Sequence, residues 1–513
     1  MKPQHKWIII LIAVLGTLLQ AIDVSIVNVA LPHMMGNLGA TLDEINWVVT
    51  GYIIANVIVL PLTGWFTAWL GRKRFLALSI GIFTIASFFC GIAWSVETLV
   101  FFRIIQGMGG GALIPSSQSL LMETFPPKEQ GGAMAAFGVG TMVGPTLGPT
   151  LGGWITDNYN WPWIFYINIP VGGLALLLAY FFLQDSTHSK NPAPQVDYPG
   201  IILLAIGVGC MQVILELGER KDWFESNGIK TLSLLTGLAL ISFIWWELRI
   251  DYPAVNLKVL TNRSLWVGTV IATFLGVGLM GPTFLLPVFL QTLLNYTAWQ
   301  TGKAILLSSI STAIAMFISG KLMTRISPQY VIAMGIGTFS LGLYKMSQFT
   351  LEIGTSDLVV PQILRGIGIG FMFVPLSIAA LSTLEKKDMA SASGIYTFMR
   401  QTGGSFGIAI LVTFLKQREI FHRSILSEHL HPLNPLTTQR LQILEQGLLA
   451  KGINPESSSK IALNLLDHAV TRQALLLSFR DAFLLIAVLI IITFPFLFLL
   501  RRKKSSVQIV LGD

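Results

Sequence analysis

Asp23 and Arg103 stand where charge is expensive. Asp23 lies within Ala21-Ile-Asp-Val-Ser-Ile-Val-Asn-Val-Ala-Leu-Pro32, and Arg103 opens Arg103-Ile-Ile-Gln106-Gly107; both runs are otherwise apolar. A charged side chain at the centre of a membrane helix costs about 3 kcal/mol or more, so it faces protein rather than lipid and marks a functional site by default. A carboxylate held out of water is a candidate proton carrier. Motion of a fixed cation toward or away from it changes how tightly it holds the proton, which couples protonation to shape. Gln20 lies one turn from Asp23, and Arg103, Gln106 and Gly107 share one helical face. The structural alternatives are that Asp23 caps a helix kink and that Arg103 binds backbone carbonyls. Glu216, in Leu215-Glu-Leu-Gly218, is a third candidate for proton coupling. Its alternatives are a cation-attracting gate or an interfacial side chain reaching water. Arg365 and Arg400 are further intramembrane cations, and Arg400 precedes Gln401-Thr-Gly-Gly404, which suits polar partners across a pore. Gln20, Asn28, Gln106, Gln118 and Arg400 are the candidates to line a substrate cavity.

Such residues need helices to hold them at depth, and the composition supplies these. Of 513 residues, 53% are hydrophobic and 12% charged, against about 25% charged in a soluble protein. The chain is a polytopic membrane protein, which excludes reading its +8 net charge as a nucleic-acid footprint. Windows of about 20 apolar residues give fourteen expected spans: 8–31, 47–69, 75–94, 99–122, 132–156, 163–184, 199–218, 230–248, 265–290, 299–320, 329–349, 357–382, 391–415 and 479–500. The first is read as an uncleaved span, because no small-residue cleavage site follows its apolar core. Eighteen Lys and Arg residues, from Lys2 and Lys6 through Arg72-Lys-Arg74, Lys128 and Lys190 to Arg501-Arg-Lys-Lys504, fall on one side, while the opposite short loops hold Arg220 and Lys221 and almost nothing else. That bias predicts both termini in the cytoplasm. Cys90 and Cys210 lie in apolar runs and read as buried small side chains.

Gly140, Gly144, Gly148 and Gly152 recur every four residues, with Pro145 and Pro149 beside them. On a helix they form a bare stripe with a bend, a face that another helix approaches closely and slides against. Gly64-Trp-Phe-Thr-Ala-Trp-Leu-Gly71-Arg72-Lys73-Arg74 predicts a tight basic loop. The topology rule alone explains its charge; a gate on the inner face is the sharper reading. A shift of 259 residues places Gln106-Gly107-Met-Gly-Gly-Gly111 on Arg365-Gly366-Ile-Gly-Ile-Gly370, and Gly144 and Gly148 on Gly403 and Gly407. The expected organisation is therefore a six-helix bundle (1–184), two inserted spans with flanking loops (185–264), and a second six-helix bundle (265–513). Parallel repeats of this kind place substrate between the halves near the midplane. Residues 416–478 form the only long hydrophilic segment and predict two or three amphipathic helices on the outer face, followed at the end by a basic tail (501–513). Its His429 and His431 are a weak metal pattern.

Enzyme signals fail on context. Gly403-Gly-Ser-Phe-Gly407 fits a hydrolase pattern but lies in an apolar span, Gly366-Ile-Gly-Ile-Gly370 lacks a preceding strand, and there is no Walker-type loop. The expectation is a non-enzyme with no metal and no cofactor beyond the proton gradient.

Together these motifs resemble the major facilitator superfamily, and within it the fourteen-span drug:proton antiporters of the EmrB/QacA type. Asp23…Asn28…Leu31-Pro32 is similar to the family's span-one motif. Arg103…Gln106-Gly107 is similar to its span-four motif, assigned to proton coupling, and the Gly140–Gly153 ladder to its span-five antiporter motif. Trp161-Pro-Trp-Ile-Phe-Tyr-Ile-Asn-Ile-Pro170 is similar to the segment opening span six. The loop after span two departs from the pattern: Ala68 stands where the family usually carries an acid. The resemblance implies an all-α major facilitator fold of two six-helix bundles plus two inserted helices. It implies efflux of hydrophobic, amphipathic or cationic small molecules from the bacterial inner membrane, driven by protons. The long outer segment implies a periplasmic adaptor and an outer-membrane channel as partners. An uptake symporter and a non-transporting sensor or scaffold are the competing readings.

Overall fold

The computed structural model describes residues 3–183, 196–428, 430–431 and 434–500. Lys2, Lys190, His429 and the 501–513 tail lie outside the described residues, as does the side chain of Pro149.

Its helices run in chain order as α1 (Pro3–Leu38), α2 (Leu42–Leu70), α3 (Arg72–Gly91), α4 (Val96–Gly111), α5 (Leu113–Thr124), α6 (Pro127–Asn158), α7 (Trp163–Tyr166), α8 (Asn168–Phe182), α9 (Tyr198–Leu217), α10 (Asn227–Glu247), α11 (Arg263–Thr292), α12 (Ala298–Leu322), α13 (Pro328–Met346), α14 (Thr355–Leu381), α15 (Met389–Glu428), α16 (Pro435–Leu449) and α17 (Pro455–Ile491). Each of the fourteen expected windows falls on helix. The fourth is broken at Ala112, just after Gly109-Gly-Gly111, and the sixth at Ile167. Among the described residues, eleven helical stretches are long and apolar enough to cross a membrane by length and composition. The expected spans outside that set are α6, α13 and α15. Helices α6 and α15 are rich in glycine, serine and threonine and lie against α1 and α11. A helix packed on protein need not be apolar all round.

The packing repeats. Helix α6 lies along α1 as α15 lies along α11, and α4 packs on α2 and α3 as α14 packs on α12 and α13. The glycine registers follow the 259-residue shift. Gly107 meets Tyr52 of α2 where Gly366 meets Ser308 of α12, and Gly109 meets Phe83 and Ser79 of α3 where Gly368 meets Phe339 of α13. The halves join along two seams, α2 on α15 and α6 on α12. Their tightest contacts are Gly64 on Ser391, Gly394 on the Leu60 carbonyl, and Gly131 on Gly320. All three lie toward the end that carries Arg72-Lys73-Arg74, Lys321 and Lys387. Helix α9 packs on α2 and α15, and α10 packs chiefly on α9.

The outer segment differs from free-standing helices on a surface. Helix α15 continues unbroken through 416–428 and α17 begins at Pro455, so the segment prolongs two spans, with α16 between them and packed on α17. The two extensions are tied by Arg418 to Asp481 (2.6 Å), His422 to Asp481 (2.8 Å) and Arg423 to Asp467 (2.7 Å).

Candidate proton-coupling site

Helix α1 presents Asp23 into the first bundle, where it is 0% exposed. The α6 stripe makes that position possible. Gly140, Gly144, Gly148 and Gly152 face Thr17, Ala21, Ser25 and Ile26 of α1 in turn, and a Cβ on any of them would collide with α1. Ser25 Oγ donates to the Gly144 carbonyl at 2.9 Å. Pro145 sits within the same helix.

Helix α4 delivers the counter-charge. Arg103, 1% exposed, donates through Nη1 to Asp23 Oδ2 at 2.6 Å and to Gln106 Oε1 at 2.7 Å, and through Nε to the Val48 carbonyl at 3.1 Å. Arg103 thus both pairs with the acid and binds a backbone carbonyl. Its guanidinium lies 4.2 Å from the centre of the Tyr52 ring. Gln106 Nε2 donates to Asp23 Oδ1 at 2.8 Å and to Ser87 Oγ at 2.6 Å. Asn168 Nδ2 closes the ring, donating to Asp23 Oδ1 at 3.1 Å and to Ser87 Oγ at 3.3 Å. Cys90 Sγ donates to Gln106 Oε1 at 3.6 Å. Each carboxylate oxygen thus has a partner, as a charge in a low-dielectric interior requires.

Sequence reasoning found Asp23, Arg103 and Gln106 and missed Asn168, Ser87 and Tyr52. Asn168 did leave a signal: it is the lone amide in Phe165-Tyr-Ile-Asn-Ile-Pro170. Ser87 left none, because a serine buries cheaply in a helix by bonding its own backbone.

The remaining candidates are distributed. Gln20 Nε2 donates to Asn56 Oδ1 at 3.3 Å. Gln118 is buried and accepts from Thr397 Oγ1 of the other half at 3.4 Å. Asn28 is exposed and donates weakly to the Val24 carbonyl at 3.4 Å. Arg400 is buried on α15 with its guanidinium 4.9 Å from the Phe373 ring centre. Glu216 is exposed at the end of α9 and does not join the Asp23 network.

In the basic loop, Gly71 alone separates α2 from α3, at φ 82°, a left-handed value suited to glycine. Arg72 donates to Glu123 at 2.5 Å, so the acid beside this loop comes from the end of α5 rather than from position 68. Lys73 lies 5.3 Å from the Tyr180 ring centre. Gly64 lies on the seam, against Ser391.

Comparison with known proteins bears on this geometry. The family described as Major Facilitator Superfamily matches residues 13–408. The chain is 34% identical to the multidrug export protein EmrB of Haemophilus influenzae, over 82% of this chain and 83% of that one. It is 33% identical to the fatty acid resistance protein FarB of Neisseria gonorrhoeae, over 96% and 95%. The crystal structure of the human organic anion transporter MFSD10 superposes with a TM-score of 0.60 at 14% identity, over 96% of this chain and 100% of that one, a likeness of fold alone.

Proposed function

Because this chain belongs to the major facilitator superfamily, a family of multi-pass membrane transporters, we propose that it exports lipophilic and amphipathic small molecules in exchange for protons. The observation that carries the reading is the buried Asp23–Arg103 pair, with both carboxylate oxygens partnered, on a helix that lies along the α6 stripe. Similarity to proteins named for multidrug export and fatty acid resistance supports the direction and the substrates.

In this mechanism, protonation of Asp23 removes the charge that Arg103 and the two amides hold. The network loosens, α1 shifts along the glycine stripe, and the halves part at the Gly64–Ser391 and Gly131–Gly320 contacts. Deprotonation toward the other side restores the ion pair and closes them. Each proton entering down a membrane potential contributes about 2.3 kcal/mol per 100 mV. In this reading both termini lie in the cytoplasm of a bacterial inner membrane, which the basic loops support, and the outer α15–α17 hairpin serves a periplasmic adaptor leading to an outer-membrane channel. The gradient is the sole energy source in this reading, with no bound cofactor.

The test is accumulation of dye inside everted membrane vesicles, where export from the cell becomes entry into the lumen, with and without an uncoupler. Export should stop with the uncoupler, and added substrate should release protons from energised vesicles. A substrate-induced proton movement in the same direction as the substrate would instead identify a symporter, and no movement of either would leave a sensor or scaffold.

A further inference from the structure

The inserted helices hold two buried acids side by side. Asp197 caps the start of α9 and Glu247 closes α10, and they are 2% and 1% exposed. Helix α9 packs on α10, so the start of one meets the end of the other. Gly200 stands at that meeting, and a Cβ there would collide with Asp197 Oδ2 and Glu247 Oε1 alike. Both oxygens therefore flank one point, and glycine leaves them room. This end of the pair bears Arg249 and Lys258, and neither acid joins the Asp23 network.

The two carboxylates are unequally served. Asp197 accepts from three N–H groups: the Gly200 amide and Trp246 Nε1 at Oδ1, and the Ala254 amide at Oδ2. Glu247 accepts from the Val255 amide at Oε2, 3.3 Å away. Its Oε1, beside Asp197, has no partner among the described residues. No cation among them pairs with either acid. Arg249 stacks over Trp245, 4.1 Å from the ring centre, and Tyr198, Asp251, Tyr252 and Lys258 are exposed. The titratable group that faces Glu247 is Asp197 itself.

Like charges this close in a low-dielectric site leave one carboxyl holding a proton. The donors decide which. Three N–H groups stabilise the charged form of Asp197. The bare oxygen of Glu247 is an acceptor without a donor unless it carries the hydrogen itself. A proton on Oε1 turns that oxygen into a donor beside Asp197 Oδ2, and removes the repulsion and the orphaned atom together. A metal ion fits less well: the other groups turned toward the acids are N–H donors, and hard cations take oxygen ligands.

We propose that Asp197 and Glu247 bind one proton between them, at a site separate from Asp23, and that this proton holds a clasp shut. The clasp joins the start of α9, the end of α10 and the loop whose Ala254 and Val255 amides lead toward α11. With the proton gone, two negative charges face each other across Gly200, and the inserted pair loosens from the head of the second bundle. The proposal stands apart from the export reading, since it needs neither substrate nor transport.

The test is infrared spectroscopy and thermal unfolding of the full-length protein in nanodiscs, with wild type beside E247Q and E247A. At neutral pH a free glutamic acid, of pKa about 4, is ionised. The wild-type minus E247Q difference should nevertheless contain a carboxylic-acid C=O band, which disappears on alkalinisation. A proton held in the folded state and released on unfolding makes stability fall as pH rises. Relative to E247Q, whose amide supplies a hydrogen at every pH, the wild-type midpoint should therefore fall from about pH 4 upward and level off where the band is lost. E247A has no hydrogen to offer Asp197 and should be less stable than E247Q throughout. Absence of the band at neutral pH, a midpoint difference between wild type and E247Q that does not change with pH, or an E247A as stable as E247Q overturns the proposal. A midpoint raised by calcium chloride or sodium chloride in wild type and not in E247Q would assign the pair to a metal ion and overturn it equally.

Discussion

Asn56 and Gln401 meet across the seam between the halves: Gln401 Nε2 donates to Asn56 Oδ1 at 3.2 Å. The same oxygen accepts from Gln20, one turn from Asp23, and Gln401 adjoins Arg400 in sequence. A three-amide bridge therefore links the helix of the proton site to the helix of the buried cation. Asn56→Leu keeps the volume and removes the acceptor. Transport should fall about tenfold, equivalent to ~1.4 kcal/mol of lost coupling, while substrate affinity changes less than threefold. Vesicle flux and nanodisc binding, measured side by side, check the split.

Asp23→Asn should abolish proton-driven efflux while the protein still inserts. It should also lower stability, because Arg103 is left as an uncompensated buried charge, a change that typically costs about 3–5 kcal/mol. Flux in everted vesicles and thermal unfolding in detergent read the two effects. Retained proton-driven flux in the variant would remove Asp23 from coupling.

Gly144→Val tests the stripe. The added side chain meets the Ala21 backbone and must push α1 from α6. Overpacking of this kind costs about 1–3 kcal/mol, and the displaced α1 carries Asp23 away from Asn168 and Gln106. Transport should fall more steeply than at Gly153→Ala, where an added Cβ finds only Val29 Cγ1 at 4.0 Å. Comparing the two in the flux assay separates stripe from bystander.

The inserted pair has its own anchor. Asp197, 2% exposed, accepts from the amide of Gly200 at 3.0 Å, from Trp246 Nε1 at 2.8 Å and from the amide of Ala254 at 3.4 Å. It ties the start of α9 to the end of α10 and the following loop. Asp197→Ala leaves those donors without partners, at about 1–3 kcal/mol for each buried group that water cannot reach. A drop of several degrees in the midpoint of thermal unfolding should follow, with vesicle flux per folded molecule largely kept.

Much of this arrangement was legible in the chain, and the reasons differ by residue. Asp23 and Arg103 announced themselves because charge in an apolar run demands explanation, and the glycine ladder because a stripe of bare positions has one geometric meaning. The repeat was legible for the same reason, since 107, 109 and 111 reappear as 366, 368 and 370. Partners were not. Which serine of α3 reaches Gln106, or that Asn168 closes the network, depends on helix rotation and crossing, which periodicity does not encode. The role of Glu123 beside Arg72 depends on the end of α5 meeting the start of α3, and the sequence rule looked only within one loop. Span assignment by apolarity met its limit at α15, where polar and small residues are tolerated because protein rather than lipid surrounds them.

The outer extensions give a further prediction. Replacing residues 420–475 with a short Gly/Ser link should leave proton-driven flux in vesicles within about threefold of wild type, while resistance of intact cells to an exported compound is lost. Equal loss in both settings would assign the hairpin to the transport core instead.

Helix α15 runs 40 residues without interruption, about 60 Å by the helical rise. Its first turns bear on Gly64 at the seam and its last turns stand outside the bundle, tied to α17. A rigid rod fixed this way is a lever. A tilt of about 10° at the seam, modest for a domain motion, swings the far tip by ~10 Å. Whatever grips that tip from the outside feels each turnover as a stroke, and by the same geometry a load placed there resists the turnover.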